Sequence, residues 1–287
     1  MVEIVAHRGS REGAAEHTLT AYRKAIRDGA DSLECDVRLT ADGQLVCLHD
    51  RRVDFVSAGR GTVSTMELAE LARLRFGTRR QWRMLDRHRS PAPHSEPVGS
   101  QPDDTGVLTL RQLLELVRST PRPVGLAIEI KHPTRHGGRT EERLVEILGE
   151  FGLLGGTRAQ PATAAGAQLA TRPAVRLMSF SAMSLRRLSR LAPDVDRVLL
   201  MGRLPPHLRD GHLPEGVRGT GIDLRIVRRD PAYVARAHAR GNAVYVWTVN
   251  SPVDADLCVA AGVDALVTDV PGTLRAHLAG VDAAGSV

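Results

Sequence analysis

The sequence predicts an α/β fold, a single (β/α)8 TIM barrel with a short inserted loop region after its third strand. Three observations carry this reading. The 287 residues suit one such barrel, which takes about 250. Short apolar runs alternate with helical patterns, the order of repeated βα units around a parallel sheet. The composition, 42% apolar but only 3% aromatic, suits an interior filled by branched aliphatic side chains.

In chain order, strands are expected at residues 3–6, 32–37, 45–48, 125–130, 175–179, 198–201, 243–248 and 265–268, eight in all. An extended piece at 221–224 reads as lying outside this set. Helices are expected at 18–27, 65–74, 110–118, 140–151, 183–191, 231–239, 252–260 and 271–278. Pro231, Pro252 and Pro271 open three of these, where a missing N–H is tolerated. Gly29, Gly241 and Gly262 close helices before a strand, as left-handed C-caps do. Two stretches break the rhythm. Residues 76–106, rich in Arg, Pro, Ser and Asp, read as the inserted loop, and 155–173, rich in Ala, Gly, Thr and Pro, as a flexible connector. Residues 1–287 are expected to form one domain.

A net charge of +6 raises nucleic acid or anionic lipid as partners. The basic residues are dispersed, however, and only Lys24 and Lys131 of the 39 are lysines. A small anionic substrate is the better inference, and no nucleic-acid partner is expected. Cys35, Cys47 and Cys258 form no CxxC, and two of them sit in apolar strand patterns as small hydrophobes. No apolar run approaches the ~18 residues of a membrane span. The chain starts directly on a strand, without a basic-then-apolar leader. A reduced, cytoplasmic setting follows. Nothing in the sequence specifies an oligomeric state.

Parallel strands covered on both faces normally read as near-continuous apolar runs. The second strand departs from this in an ordered way. Leu33, Cys35 and Val37 share one face, and Glu34 and Asp36 the other. Two inward carboxylates would repel and be costly to desolvate. A divalent cation removes both problems, since hard cations take carboxylate oxygens. In the fourth strand Glu129 and Lys131 share a face. In the third, His49 follows Leu45 and Cys47 in phase, and His7 and Arg8 follow the first strand. Active sites of this fold lie at strand carboxyl ends. Each feature alone has an ordinary explanation: a solvated edge, a turn, or Lys131 neutralising Glu129. Their common inward phase makes them one site.

These residues resemble the glycerophosphodiester phosphodiesterase family. His7-Arg8-Gly9 is similar to its HRG, Glu16-His17-Thr18 to its ENT, and Glu34-Cys35-Asp36-Val37 to its E-x-D strand. Thr40-Ala41-Asp42-Gly43 leading to His49-Asp50 resembles its TxDG…HD hairpin and strand, and Glu129-Ile130-Lys131 its EIK. Ser179-Phe180, Trp247-Thr248-Val249-Asn250 and Thr268-Asp269-Val270-Pro271 are similar to its later elements. The resemblance implies that Glu34, Asp36 and Glu129 hold one divalent cation, Mg2+ or Ca2+. It implies that His7 and His49 are the catalytic acid/base pair. Arg8 and Lys131 would bind phosphate oxygens, Phe180 and Trp247 would flank the glycerol, and Glu16 would support the site. Asp269 is expected to cap the helix that begins near Pro271. Two departures stand out: His17 replaces the family's usual Asn, and Phe55-Val56 occupy the place of an Arg-Thr pair.

The expected activity is metal-dependent hydrolysis of a glycerophosphodiester to glycerol 3-phosphate and an alcohol, through a cyclic phosphate. Two alternatives differ in class. One is a lysophospholipase D-type diesterase whose basic, Trp82-containing insertion makes peripheral membrane contact. The other is a non-catalytic phosphate- or nucleic-acid-binding barrel, against which the complete set of histidines and carboxylates argues.

Overall fold

The computed structural model describes residues 2–76, 106–155 and 174–284. Among them are nine strands: β1 (Glu3–His7), β2 (Ser32–Leu39), β3 (Leu45–Cys47), β4 (Gly125–Ile130), β5 (Val175–Ser179), β6 (Asp196–Met201), β7 (Gly219–Asp223), β8 (Ala243–Trp247) and β9 (Ala265–Thr268). The helices are α1 (Leu19–Arg27), α2 (Leu68–Leu71), α3 (Leu110–Arg118), α4 (Arg139–Glu150), α5 (Ala182–Leu191), α6 (Leu224–Arg229), α7 (Ala232–Ala239), α8 (Pro252–Ala260) and α9 (Pro271–Ala284). The inserted loop and the connector expected from the sequence lie almost wholly outside the described residues. Among those described, no helix is long and apolar enough to cross a membrane.

Eight parallel strands close into a ring in the order β1, β2, β4, β5, β6, β7, β8, β9, with β9 returning to β1. The (β/α)8 barrel is therefore as the sequence predicts, but its strand membership needs one correction. Residues 45–48 were expected to be the third barrel strand. Instead β3 runs antiparallel to β2, with Val37 opposite Cys47 and Leu39 opposite Leu45. Residues 221–224, expected to lie outside the set, overlap β7, a full member paired with β6 and β8. The physical reason lies in side-chain volume. A Cβ on Gly219 would stand 3.1 Å from both Tyr245 and Val198, and one on Gly221 would stand 2.5 Å from Leu200. Glycine makes room for these larger side chains and erases the apolar run that marks a buried strand.

Local signals fix most of the helices. Thr18 caps α1 by accepting from the Ala21 N–H. Thr109 and Gln112 form a reciprocal capping box on α3, and Ser251 caps α8 just ahead of Pro252. Such caps satisfy N–H groups that a helix leaves unpaired. Residues 65–74 form only the short α2.

Alternation along the strands separates two cores. Ile4, Ala6, Leu33, Cys35, Val37, Leu126, Ile128 and Ile130 face outward and pack with the helices. Val5, Ala127, Met178, Val198, Leu200, Tyr245, Ala265 and Val267 fill the barrel. The interior is less purely aliphatic than expected. At its amino end Arg176 holds both oxygens of Glu3 at 2.7 Å, and its guanidinium lies over Tyr245, 5.2 Å from the ring centroid. The carboxyl end is left to the residues of the site.

Gly9 fixes how the chain leaves β1. Its φ is +89°, and a Cβ there would lie 2.7 Å from Ala21 Cβ and 2.8 Å from the Ala21 carbonyl carbon. Gly9→Ala should therefore combine backbone strain with overpacking, lowering stability by about 3 kcal/mol. Thermal unfolding followed by circular dichroism should show a melting temperature lower by roughly 6–12 °C. An unchanged melting temperature would refute the close packing of this turn on α1.

Candidate active site

The strand phase that fills the barrel lower down delivers polar side chains at its mouth. Val5 is followed by His7, Ala127 by Glu129 and Lys131, and on β2 the inward positions are Glu34 and Asp36. One oxygen from each of Glu34, Asp36 and Glu129 lies within 4.8 Å of the others. All three are buried. Burial and then the neighbouring Asp36 push the Glu34 carboxyl well above the usual carboxylate range. The same two causes raise Glu129 to about 7.

Asp36 goes the other way. Burial would raise it, but His17, Lys131 and Arg8 outweigh burial and hold it well below the ordinary value. His17 Nε2 lies 3.0 Å from Asp36 Oδ2 and Arg8 Nε 2.9 Å from the same oxygen. Lys131 Nζ is 3.0 Å from Asp36 Oδ1 and 2.8 Å from Glu129 Oε1. Even so, Oδ1 has no aligned hydrogen bond. A cluster in which burial drives Glu34 and Glu129 towards protonation, with Asp36 Oδ1 met only by an unaligned ammonium, is chemically suited to a hard divalent cation.

Arg8 reaches the cluster from a left-handed backbone, φ 57°, which is unusual for a non-glycine residue and concentrates at functional sites. Its N–H donates to Glu34 Oε2 at 3.0 Å, and Nη1 donates to Glu16 at 3.2 and 3.3 Å. Glu16 thus meets Arg8 at the edge of the cluster.

His17 also has φ 57° and is fully enclosed. Burial lowers its pKa, against the pull of Asp36. Its Nδ1 lies 2.9 Å from the Tyr22 hydroxyl, which in turn is 3.1 Å from the Glu34 carbonyl oxygen. The imidazole thus bridges Asp36 and Tyr22, and the Tyr22 hydroxyl donates onward to the Glu34 carbonyl.

His7 and His49 are each held at Nδ1. Asp269 Oδ1 is 2.8 Å from His7, and Asp50 Oδ1 is 2.9 Å from His49. Burial lowers the His49 pKa despite the attraction of Asp36. His49 arrives from above, because β3 folds back and the Leu48 N–H donates to the Asp36 carbonyl at 3.0 Å. The residue was foreseen, but the strand geometry that delivers it was not. Phe180 and Trp247 stand edge to face, centroids 5.6 Å apart, and the indole N–H donates to the Gly221 carbonyl at 3.0 Å. A cavity of about 90 Å³ is lined by His7, Arg8, Glu34, His49, Glu129, Lys131, Phe180 and Trp247 among others. Eight of the ten residues named from the sequence line it; Asp36 and Glu16 stand behind.

Two residues escaped the sequence reading. Asp269 was expected to be a helix cap, but its carboxylate is taken by His7, by Arg11 at 3.2 Å and by Asn250 at 2.8 Å. Burial opposes its ionisation, but the hydrogen bond and charge of His7, with Asn250 and Arg11, together outweigh it and bring Asp269 to about 2. Arg38 donates to the His49 carbonyl from Nε at 3.0 Å and Nη2 at 2.6 Å. Both carry the signal that found the others: 269 follows the inward Val267, and 38 follows Glu34 and Asp36.

Fold and site together define an α/β-barrel hydrolase with a carboxylate cluster of metal-binding type. Residues 7–273 match the model of the Glycerophosphoryl diester phosphodiesterase family. A Mycobacterium tuberculosis protein described as "Probable glycerophosphodiester phosphodiesterase 1" is 41% identical over 96% of this chain and 92% of its own length. A Caldanaerobacter subterraneus glycerophosphodiester phosphodiesterase is 27% identical over 94% and 95%. In fold, the chain is similar to an Oleispira antarctica phosphodiesterase solved with sn-glycerol-3-phosphate (TM-score 0.74, 24% identity, 96% of each chain). The chain belongs to the glycerophosphoryl diester phosphodiesterase family.

Cation binding at this cluster should displace protons, because burial keeps Glu34 and Glu129 protonated at a higher pH than usual. Calorimetric titration with Mg2+ or Ca2+, in buffers of different ionisation enthalpy, should show more proton release at pH 6 than at pH 8. Affinity should rise over the same interval. Equal heats in both buffers at pH 6 would mean that the carboxylates are already ionised.

Proposed function

We propose that this enzyme hydrolyses glycerophosphodiesters to glycerol 3-phosphate and an alcohol, with His7 and His49 as its proton carriers. The observation that carries the reading is one cavity in which both histidines, Arg8 and Lys131 meet Glu34, Glu129 and the Phe180–Trp247 corner. Glu34, Asp36 and Glu129 would hold one divalent cation, Mg2+ or Ca2+. When bound, it offsets charge on the phosphate oxygens as the transition state forms.

The protein's own groups do the rest. Arg8 Nη1 donates to Glu16, and Nε lies 2.9 Å from Asp36 as an ion pair without an aligned hydrogen bond, so Nη2 is the group that can reach a phosphate oxygen. Lys131 adds a second positive charge next to the carboxylates. The Phe180 and Trp247 rings offer the glycerol carbons an apolar corner. His7, with Nδ1 fixed on Asp269, takes the proton of the neighbouring glycerol hydroxyl as that oxygen attacks phosphorus. The bond to the alcohol breaks, and His49 gives the departing oxygen its proton. In the second half His49 takes a proton from water, which opens the cyclic phosphate, and His7 returns a proton to the glycerol oxygen. The net change is addition of one water.

Glycerophosphocholine turnover should vanish in EDTA and return with Mg2+ or Ca2+, as read by phosphorus NMR, and slow turnover should show a cyclic phosphate. Full activity in EDTA would overturn the metal role. Full activity on a diester lacking the neighbouring hydroxyl would overturn the cyclic route. Arg38→Met should release the His49 backbone and lower kcat about a hundredfold with little change in KM, since small displacements of a catalytic group have effects of this size. Wild-type kcat in that variant would show that Arg38 does not position His49.

A further inference from the structure

A second and larger cavity, about 280 Å³, adjoins the catalytic one at His49. His49 is the one residue that lines both this cavity and the catalytic one. Its walls are mainly apolar: Ala14 and Ala15 from the loop before α1, Leu48 after β3, then Phe55, Val56 and Leu108. The acid at its edge is neutralised, because Glu16 is paired with Arg8 at 3.2 Å and lies 3.9 Å from Arg11. The cavity therefore offers little attraction to a cationic alcohol such as choline and favours burial of uncharged carbon. An apolar cavity of roughly 150 Å³ accommodates a benzene ring, so this one has room for an aryl or medium-length alkyl group.

The position matters as much as the lining. In phosphoryl transfer the attacking and departing oxygens lie roughly in line across phosphorus. With the glycerol side at Phe180 and Trp247 and His7, the departing oxygen leaves on the His49 side, where this cavity begins. We infer that the cavity is the leaving-group subsite and that it selects diesters whose alcohol is uncharged and apolar. This rests on the proposed diesterase reading and adds the class of alcohol to it. Phe55-Val56, where the family's Arg-Thr pair is replaced, then form the wall that gives this chain its preference.

The test compares glycerophosphobenzyl alcohol with glycerophosphoethanol and glycerophosphocholine, using the full chain with Mg2+. The benzyl diester should exceed both in kcat/KM by at least tenfold, the size expected for filling an apolar pocket. Val56→Arg, which places a charge in the wall, should bring the benzyl-to-ethyl ratio close to one. Equal kcat/KM for the three diesters, or a ratio unmoved by Val56→Arg, would overturn the subsite. If no diester is turned over, the diesterase reading fails instead. Binding of benzyl alcohol by ligand-observed NMR then decides the cavity separately: binding lost in Val56→Arg supports it, and no binding to the unmodified protein overturns it.

Discussion

Three carboxylates brought together out of water set the terms for the rest of this molecule. Glu34, Asp36 and Glu129 are fixed by strand alternation on β2 and β4, so they cannot turn away from one another. Like charges at this spacing in a poorly solvated site cannot all remain ionised without compensation. The chain compensates unequally. Asp36 receives Arg8, His17 and Lys131 and is held ionised, whereas Glu34 and Glu129 are left towards the protonated side. The left-handed backbones at Arg8 and His17 and the Tyr22 hydroxyl all serve that arrangement. The proposed cation would complete it.

Much of this was legible because strand alternation depends only on position. Once β1, β2 and β4 are located, the inward phase selects His7, Glu34, Asp36, Glu129 and Lys131 without further information. The same rule applied one step further along β2 and beyond β9 selects Arg38 and Asp269. Asp269 was misread because an acidic residue before a helix-opening proline has a competing local explanation. Only the contact between β1 and β9 shows that His7 claims it.

The strand exchange had a different cause. Leu45-Val46-Cys47 is apolar because it lies buried over β2, and local sequence does not distinguish that from membership of the barrel. Gly219-Thr220-Gly221 is sparse because Tyr245, Leu200 and Val198 fill the space in front of it. Which neighbour supplies the volume is a tertiary fact. The departures from the family pattern likewise acquire meaning only in three dimensions. His17 bridges Asp36 and Tyr22, and Phe55-Val56 become part of a cavity wall beside His49.

The central claim, that the three buried carboxylates form a cation site, is tested most directly by crystals soaked in Mn2+ near pH 8 and measured at the manganese edge. The account predicts one strong anomalous peak within coordinating distance of Glu34, Asp36 and Glu129. An ordered map without that peak, with Glu34 and Glu129 paired through a shared proton instead, would contradict it.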